Sequence, residues 1–531
     1  MSDRIRQARL DLSRRHLLRC FGASAVAAFA MPLARPALAN PIFSTYPFQL
    51  GVASGEPVAD GFVIWTRLAP EPLEIGHGMP AAAVEVQWEV AEDPAFRSVV
   101  RGGIAIARPE LGHAIHVEVD GLAPRRPYWY RFVAGRERSL AGRAMTAPAP
   151  DARLDQLRFA VAGCQNYEQG YYTAHRYLAA EEVDFTFCYG DYIYEGRGNR
   201  LRNSSTGPVE NVRQHFGDEI YTLEDYRRRY AQYKMDPDLQ AAHASAPWFT
   251  VWDDHETDNN WVSDADQDGT PPAMFNLRRQ AAAQAYYENM PLRPYALPVG
   301  SAMQIYRQAS YGDLLDLNLL DTRQYRSDQP CDDRWGAECA EVTRADAEVL
   351  GRQQHEWLME NMSRSSSLWQ VLAQQVMVMD LDRNPDVGVS YNLDSWAGYR
   401  SPRERMLAGL RERKVENAIV LTGDEHQNYA GEVHIDGSRP ERSPLAVEFV
   451  ATSITSGGDG EDQRLDMAKI QAVNEQLKFN NNQRGYVVCD VNRERWLTDF
   501  KVLDRVSSLG GELRSRKKLA VLPGTAHLVD G

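Results

Sequence analysis

The stretch FCYGDYIYEG, residues 187–196, sets the reading of this chain. Phe187, Cys188 and Tyr189 make an apolar, strand-like run that empties into a Gly-Asp turn at Asp191, and Tyr194 follows three residues later. An Asp in that position commonly caps backbone amides of a turn. It can equally end a buried strand because a cation, rather than water, compensates its charge.

Working outward, polar residues follow apolar strands at three further places. They are Cys164 in VAGCQN, Asp253 to Asn260 in WDDHETDNN, and Asp424 to His426 in LTGDEHQN. Short apolar runs (LRFAVAGC, WFTVWDD, LLDLNLLD, WQVLAQQV, NAIVLTGD, AVEFVATS) alternate with helical segments, which predicts an α/β arrangement with buried central strands over 156–531. Ligand-bearing residues spread along such a sheet meet where the strands end. Residues 46–146 read differently: GFVIWTRL, VEVQWEVA, HAIHVEVDGL and YWYRFVAG are β-rich and separated by Pro, Gly and Asp turns. That predicts an immunoglobulin- or fibronectin III-like β-sandwich over 40–147, with Tyr128 or Tyr130 as a corner tyrosine. The Ala/Pro-rich stretch 146–155 reads as a linker, and the fold class expected for the whole is α+β.

The chain has 531 residues, 43% hydrophobic and 25% charged, ordinary for a globular protein but long for one core. At its start SRRHLLR (13–19) precedes a modest apolar run and Ala37-Leu38-Ala39. Paired Arg14 and Arg15 resemble a twin-arginine export signal over 1–39, which implies the twin-arginine translocon as a partner and a periplasmic or secreted destination. Cleavage there removes seven arginines and two aspartates, leaving 52 basic and 71 acidic residues, a net charge of −19. Such a charge argues against nucleic acid or an anionic membrane as a partner, and no internal run is long enough for a transmembrane anchor.

Cys331 and Cys339 sit in a loop where an extracytoplasmic disulfide is plausible, whereas Cys188 and Cys489 read as core. Asp264, Asp266, Asp268 and Gly269 open like a calcium loop, but position twelve is Phe275, so a solvated loop is expected. Asp321 and Arg323 in LDTRQYR are expected to brace a strand end as a local ion pair.

GDYIY, DDHE and GDEH resemble the metallophosphoesterase signature. Together with GVASGEPVADGFVIWTRLAP, LDTRQYR and EFVATSITSGGD they resemble, across nearly the whole mature chain, the PhoD-like alkaline phosphatase family. The resemblance implies a metallophosphoesterase-type α/β sandwich and hydrolysis of phosphate esters by a metal-activated hydroxide, with Fe(III) and Ca²⁺. It implies metal ligands at Cys164, Asp191, Tyr194, Asp254, Asp424 and His426. His255 and Asp191 would be catalytic, with Asn260 and Arg197 as further catalytic candidates, and Asn259 and His255 would bind substrate. Monoesters and diesters are both compatible with it, including phospholipase D-like or teichoic-acid substrates. A non-enzymatic calcium-binding surface protein is the rival, but imidazole beside Asp254 suits a structural calcium site poorly.

Overall fold

The computed structural model describes residues 42–531 except 198–200, 205–206, 334–335, 337–338, 387 and 437–443. The export signal expected over 1–39 lies outside the described residues. Residues 42–531 form one compact unit. Two large mixed sheets face each other, with helices outside them, an α+β arrangement.

The first sheet has ten strands. At its centre, Phe185–Cys188 lies parallel to Gln156–Ala162 on one side and to Trp248–Thr250 on the other. The second has seven strands, of which Leu315–Leu319, Trp369–Ala373, Ala418–Thr422 and Ala446–Val450 run parallel in that order. These central strands are buried along their length, and Phe185–Cys188 and Ala418–Thr422 are accordingly apolar runs, whereas Leu315–Leu319 alternates Leu with the buried Asp316 and Asn318. Aromatic side chains fill the space between the sheets: Phe159 stacks on Phe185 at 4.6 Å, and Trp369 meets Trp496 edge-on at 5.7 Å.

Helices Gly351–Arg364 and Arg400–Glu412 cover the outer face of the seven-stranded sheet with Leu358, Met362, Met406 and Leu410. Helix Leu223–Lys234, started by a reciprocal Thr222–Asp225 capping box, contributes Tyr226, Tyr230 and Tyr233 to the main core.

The N-terminal region is two-layered, but one of its layers is shared. Strands Val84–Ala91, Val99–Ala107, Pro127–Ala134, Glu137–Arg138 and Gly142–Met145 make a five-stranded antiparallel sheet of their own. Strands Val52–Val58, Gly61–Arg67 and Ala114–Val119, which pack against it around Phe62, Ile64, Val86 and Phe132, extend the ten-stranded sheet. The junction is the parallel pairing Gly55↔Trp248, and a Cβ on Gly55 would come within 2.7 Å of the Trp248 carbonyl. The Tyr128 hydroxyl accepts a hydrogen bond from the Ala123 amide at 2.9 Å. The expected linker is pinned at both ends: Ala147 N donates to Val58 O, and Leu154 N donates to Asp313 Oδ1, each at 3.0 Å. Cys331 and Cys339 are disulfide-bonded, while Cys164, Cys188 and Cys489 are buried thiols.

Candidate active site

The parallel strands of both sheets end at a common edge. Hydrogen bonds sew the loops together there, among them Ile454 N to Gly163 O at 3.0 Å and Ser456 N to Cys164 O at 3.2 Å. The ring of Tyr189 fills the space beside Gly423, where an added Cβ would lie 2.0 Å from a ring carbon. That close approach explains the glycine ahead of Asp424. Cys164, Asp191, Asp424 and His426 all adopt left-handed backbone (φ 48°, 54°, 64° and 54°), as does Asn260 (φ 49°). Non-glycine residues there cost roughly 1 kcal/mol or more each, and such strain persists where the surroundings over-determine it.

Of the residues singled out in the sequence, Cys164, Asp191, Tyr194, Asp254, His255, Asp424 and His426 come together. Their donor atoms form three overlapping groups: Cys164, Asp191 and His426; Asp191, Asp254 and His255; and Asp253, Asp254 and Asp424. Within each group the donors lie within 4.8 Å of one another, so Asp191 and Asp254 are each shared between two groups. Tyr194 Oη donates to Asp191 Oδ2 at 2.7 Å and sits 3.2 Å from His426 Nε2 and 2.6 Å from Ser456 Oγ.

Three buried carboxylate oxygens, Asp191 Oδ1, Asp253 Oδ2 and Asp254 Oδ1, accept no hydrogen bond from the protein. Orphaned buried acceptors are costly unless something else satisfies them, and a cation does so. Burial, and then the charges of Asp191 and Asp424, push the Cys164 thiol well above its usual range; burial and Asp191 do the same to the Tyr194 phenol. Burial likewise raises Asp191 and Asp424, with neighbouring carboxylates adding to it. Thiolate, phenolate and carboxylates can ionise together here only if positive charge is supplied. The donor set therefore fits metal ions.

His255 is held differently. Its Nδ1 lies 2.7 Å from Glu195 Oε2, and its ring packs against that of Tyr194 with centroids 4.1 Å apart. Burial disfavours the imidazolium, but Glu195, Asp254 and Asp191 outweigh it and raise its pKa well above the ordinary value.

The other candidates lie at the margin. Asn260 N donates to Asp254 Oδ2 at 2.8 Å, while its side chain donates to Asp333 at 2.7 Å. Asn259 N donates to Glu195 Oε1 at 3.0 Å, and its side chain bonds to Gln267. Arg197 is exposed and paired with Asp218 at 2.8 Å. Arg323 departs from the expected local pair: only its backbone amide reaches Asp321, at 3.0 Å. Its fully buried guanidinium pairs with Asp253 at 2.6 Å and with Asp394 at 2.9 Å, bracing the wall of the site. Of the groups able to hold a metal, none among the described residues contains Asp264, Asp266 or Asp268.

Sequence reasoning gave no role to Glu195 or Ser456, nor to Asp253 and Glu256 within the WDDHETDNN stretch. Glu195 stood in the opening stretch itself, directly after Tyr194, and that adjacency was the available signal.

A family model described as PhoD-like phosphatase matches residues 159–500, and one described as PhoD-like phosphatase, N-terminal domain, matches residues 34–148. Alkaline phosphatase D of Bacillus subtilis (strain 168) is 46% identical over 478 residues, covering 90% of this chain and 81% of that protein. A solved "Structure of PhoD" superposes with a TM-score of 0.89 at 45% identity, covering 92% of this chain and 93% of the other.

Proposed function

Because the chain belongs to the PhoD-like phosphatase family, and is thus a phosphoric ester hydrolase of the alkaline phosphatase type, we propose that the strand-end cluster hydrolyses phosphate monoesters and diesters at a site holding iron and calcium. One observation carries the metal reading: Asp191 and Asp254 each belong to two donor groups, and each keeps a buried oxygen without a hydrogen bond. Cys164, Asp191, Tyr194 and His426 would hold the iron, since thiolate, phenolate and imidazole suit it. Asp191, Asp254 and Asp424 would hold calcium, which takes oxygen ligands. Cations bound there would supply the positive charge that phosphoryl oxygens need and would acidify water.

The chain's own residues do the rest. Glu195 accepts the Nδ1 proton of His255 and so leaves Nε2 to donate to a phosphoryl or leaving oxygen. The Tyr194 ring limits rotation of that imidazole. Asn260 fixes Asp254 through its amide, and Asn259 holds the second oxygen of Glu195. A catalytic part for Arg197 requires its guanidinium to leave Asp218 when substrate arrives. Export through the twin-arginine pathway to the periplasm or beyond rests on Arg14 and Arg15. Among the described residues no helix is long and apolar enough to cross a membrane.

Hydrolysis of p-nitrophenyl phosphate and of bis(p-nitrophenyl) phosphate by the metal-loaded protein tests this reading. Release of p-nitrophenol from at least one is expected. Release from neither, with the metals bound, would overturn it.

A further inference from the structure

Glu256 is buried, its side chain follows the site residues Asp254 and His255, and nothing above uses it. Its carboxylate accepts three backbone amides from two separate loops. Oε1 takes Tyr192 N at 2.6 Å; Oε2 takes Asp191 N at 3.1 Å and Asp253 N at 2.8 Å. The carbonyls of the same turn are already engaged, since Cys164 N donates to Gly190 O and Gln165 N to Asp191 O. The backbone of the Asp191 turn is therefore accounted for on both sides, with its amides resting on Glu256 alone.

The two loops also touch directly. Gly190 has φ 124°, and a Cβ there would lie 2.5 Å from Asp253 N, so the chains pass at the closest approach glycine permits. The side chain of Glu256 sits where that approach is fixed. Among the described residues its carboxylate forms no salt bridge, and the charges that act on it most, Asp191 and Asp253, are negative. For stability alone, a fourth carboxylate beside Asp191, Asp253 and Asp254 is a poor choice. What a carboxylate offers here and an amide does not is two acceptor oxygens, enough to bind donors from both loops at once.

We propose that Glu256 is a positioning residue that staples the Asp191 turn to the Asp253–Asp254 turn and thereby sets the spacing of the two shared metal-binding carboxylates. The inference rests on the metal reading above and adds that the spacing is imposed by the protein rather than by the bound ions. Outer partners of this kind typically contribute about 10–100-fold to metal affinity or activity.

The test uses Glu256→Gln, with Glu448→Gln as a matched control. Glu448 is likewise fully buried and accepts two amides, Val378 N at 2.8 Å and Met379 N at 2.6 Å, and the Thr422 hydroxyl at 3.1 Å, but it holds no backbone amide of a candidate metal-binding turn. Calcium affinity is measured by titrating chelator-stripped protein with Ca²⁺ alone, beside thermal unfolding of the stripped protein and kcat and KM on p-nitrophenyl phosphate. Glu256→Gln is expected to weaken Ca²⁺ binding by about 10–100-fold and to lower kcat more than it raises KM, with Glu448→Gln at parental affinity. Glu256→Asp keeps the charge but is one methylene short of spanning both loops, so it is expected to lose affinity as well; it serves if the glutamine variant does not fold. Parental affinity in either folded Glu256 variant would overturn the staple while leaving the metal site intact. A parent protein that neither binds Ca²⁺ nor hydrolyses the ester would overturn both.

Discussion

Glu195→Gln tests the role given to His255 with little change of shape. In the parent, a carboxylate oxygen 2.7 Å from Nδ1 faces an imidazole whose side chain is 18% exposed, against 7% for Glu195. A hydrogen bond to a charged group contributes about 1.5–3 kcal/mol and a neutral one about 0.5–1.5, so the exchange removes roughly 1–2 kcal/mol. At 1.4 kcal/mol per factor of ten, that is about 5–30-fold in any step needing the imidazolium. The same loss lowers the His255 pKa, because Glu195 is the first of the charges that raise it. Glu195 raises that pKa, so the variant loses the acid form at lower pH and the alkaline limb of the rate profile moves to lower pH. The assay is phosphate release from an alkyl phosphate, whose leaving oxygen needs a proton, beside p-nitrophenyl phosphate, whose leaving group does not. The alkyl ester should show the full loss and the nitrophenyl ester little. Alkyl phosphate turnover within twofold of the parent, with an unmoved alkaline limb, would refute the assignment of His255 as the acid.

Tyr194→Phe removes only the hydroxyl that donates to Asp191 at 2.7 Å, so the fold should survive while turnover falls about 10²–10³-fold; bound iron should fall with it, and a fully loaded, fully active variant would exclude Tyr194 from the site. Arg323→Met leaves Asp253 and Asp394 buried without their cation, and urea unfolding should show a loss of about 3–5 kcal/mol; an unchanged midpoint would mean that the buried pairs are not bracing the site. EGTA should abolish turnover and added Ca²⁺ should restore it, whereas restoration by Zn²⁺ but not Ca²⁺ would point to a different metal pair.

Much of the site was readable because its chemistry is written locally. Each candidate motif is a few residues long and follows a buried strand, most of which read as largely apolar runs. What stayed hidden depends on pairings across long stretches of chain. Arg323 looked local to Asp321, yet its guanidinium reaches back 70 residues to Asp253, because a buried cation goes to the carboxylate that most needs compensating. Glu195 carries no motif of its own, and Glu256 closes the DDHE segment without the motif saying what it holds. Their roles come from what they accept, the ring of His255 in one case and three amides in the other, and neither partner set can be read from sequence spacing. The N-terminal region was legible as β-rich, but the Gly55↔Trp248 pairing that merges three of its strands with the ten-stranded sheet joins strands far apart in sequence.

The central claim is that Asp191, shared between two donor groups, anchors the hydrolytic site. Steady-state phosphate release from p-nitrophenyl phosphate by Asp191→Asn, at saturating metal and with parental circular dichroism, tests it most directly. Asparagine keeps the shape and removes the charge that both groups share, so turnover should fall at least about 10³-fold. Turnover within tenfold of the parent would contradict the account.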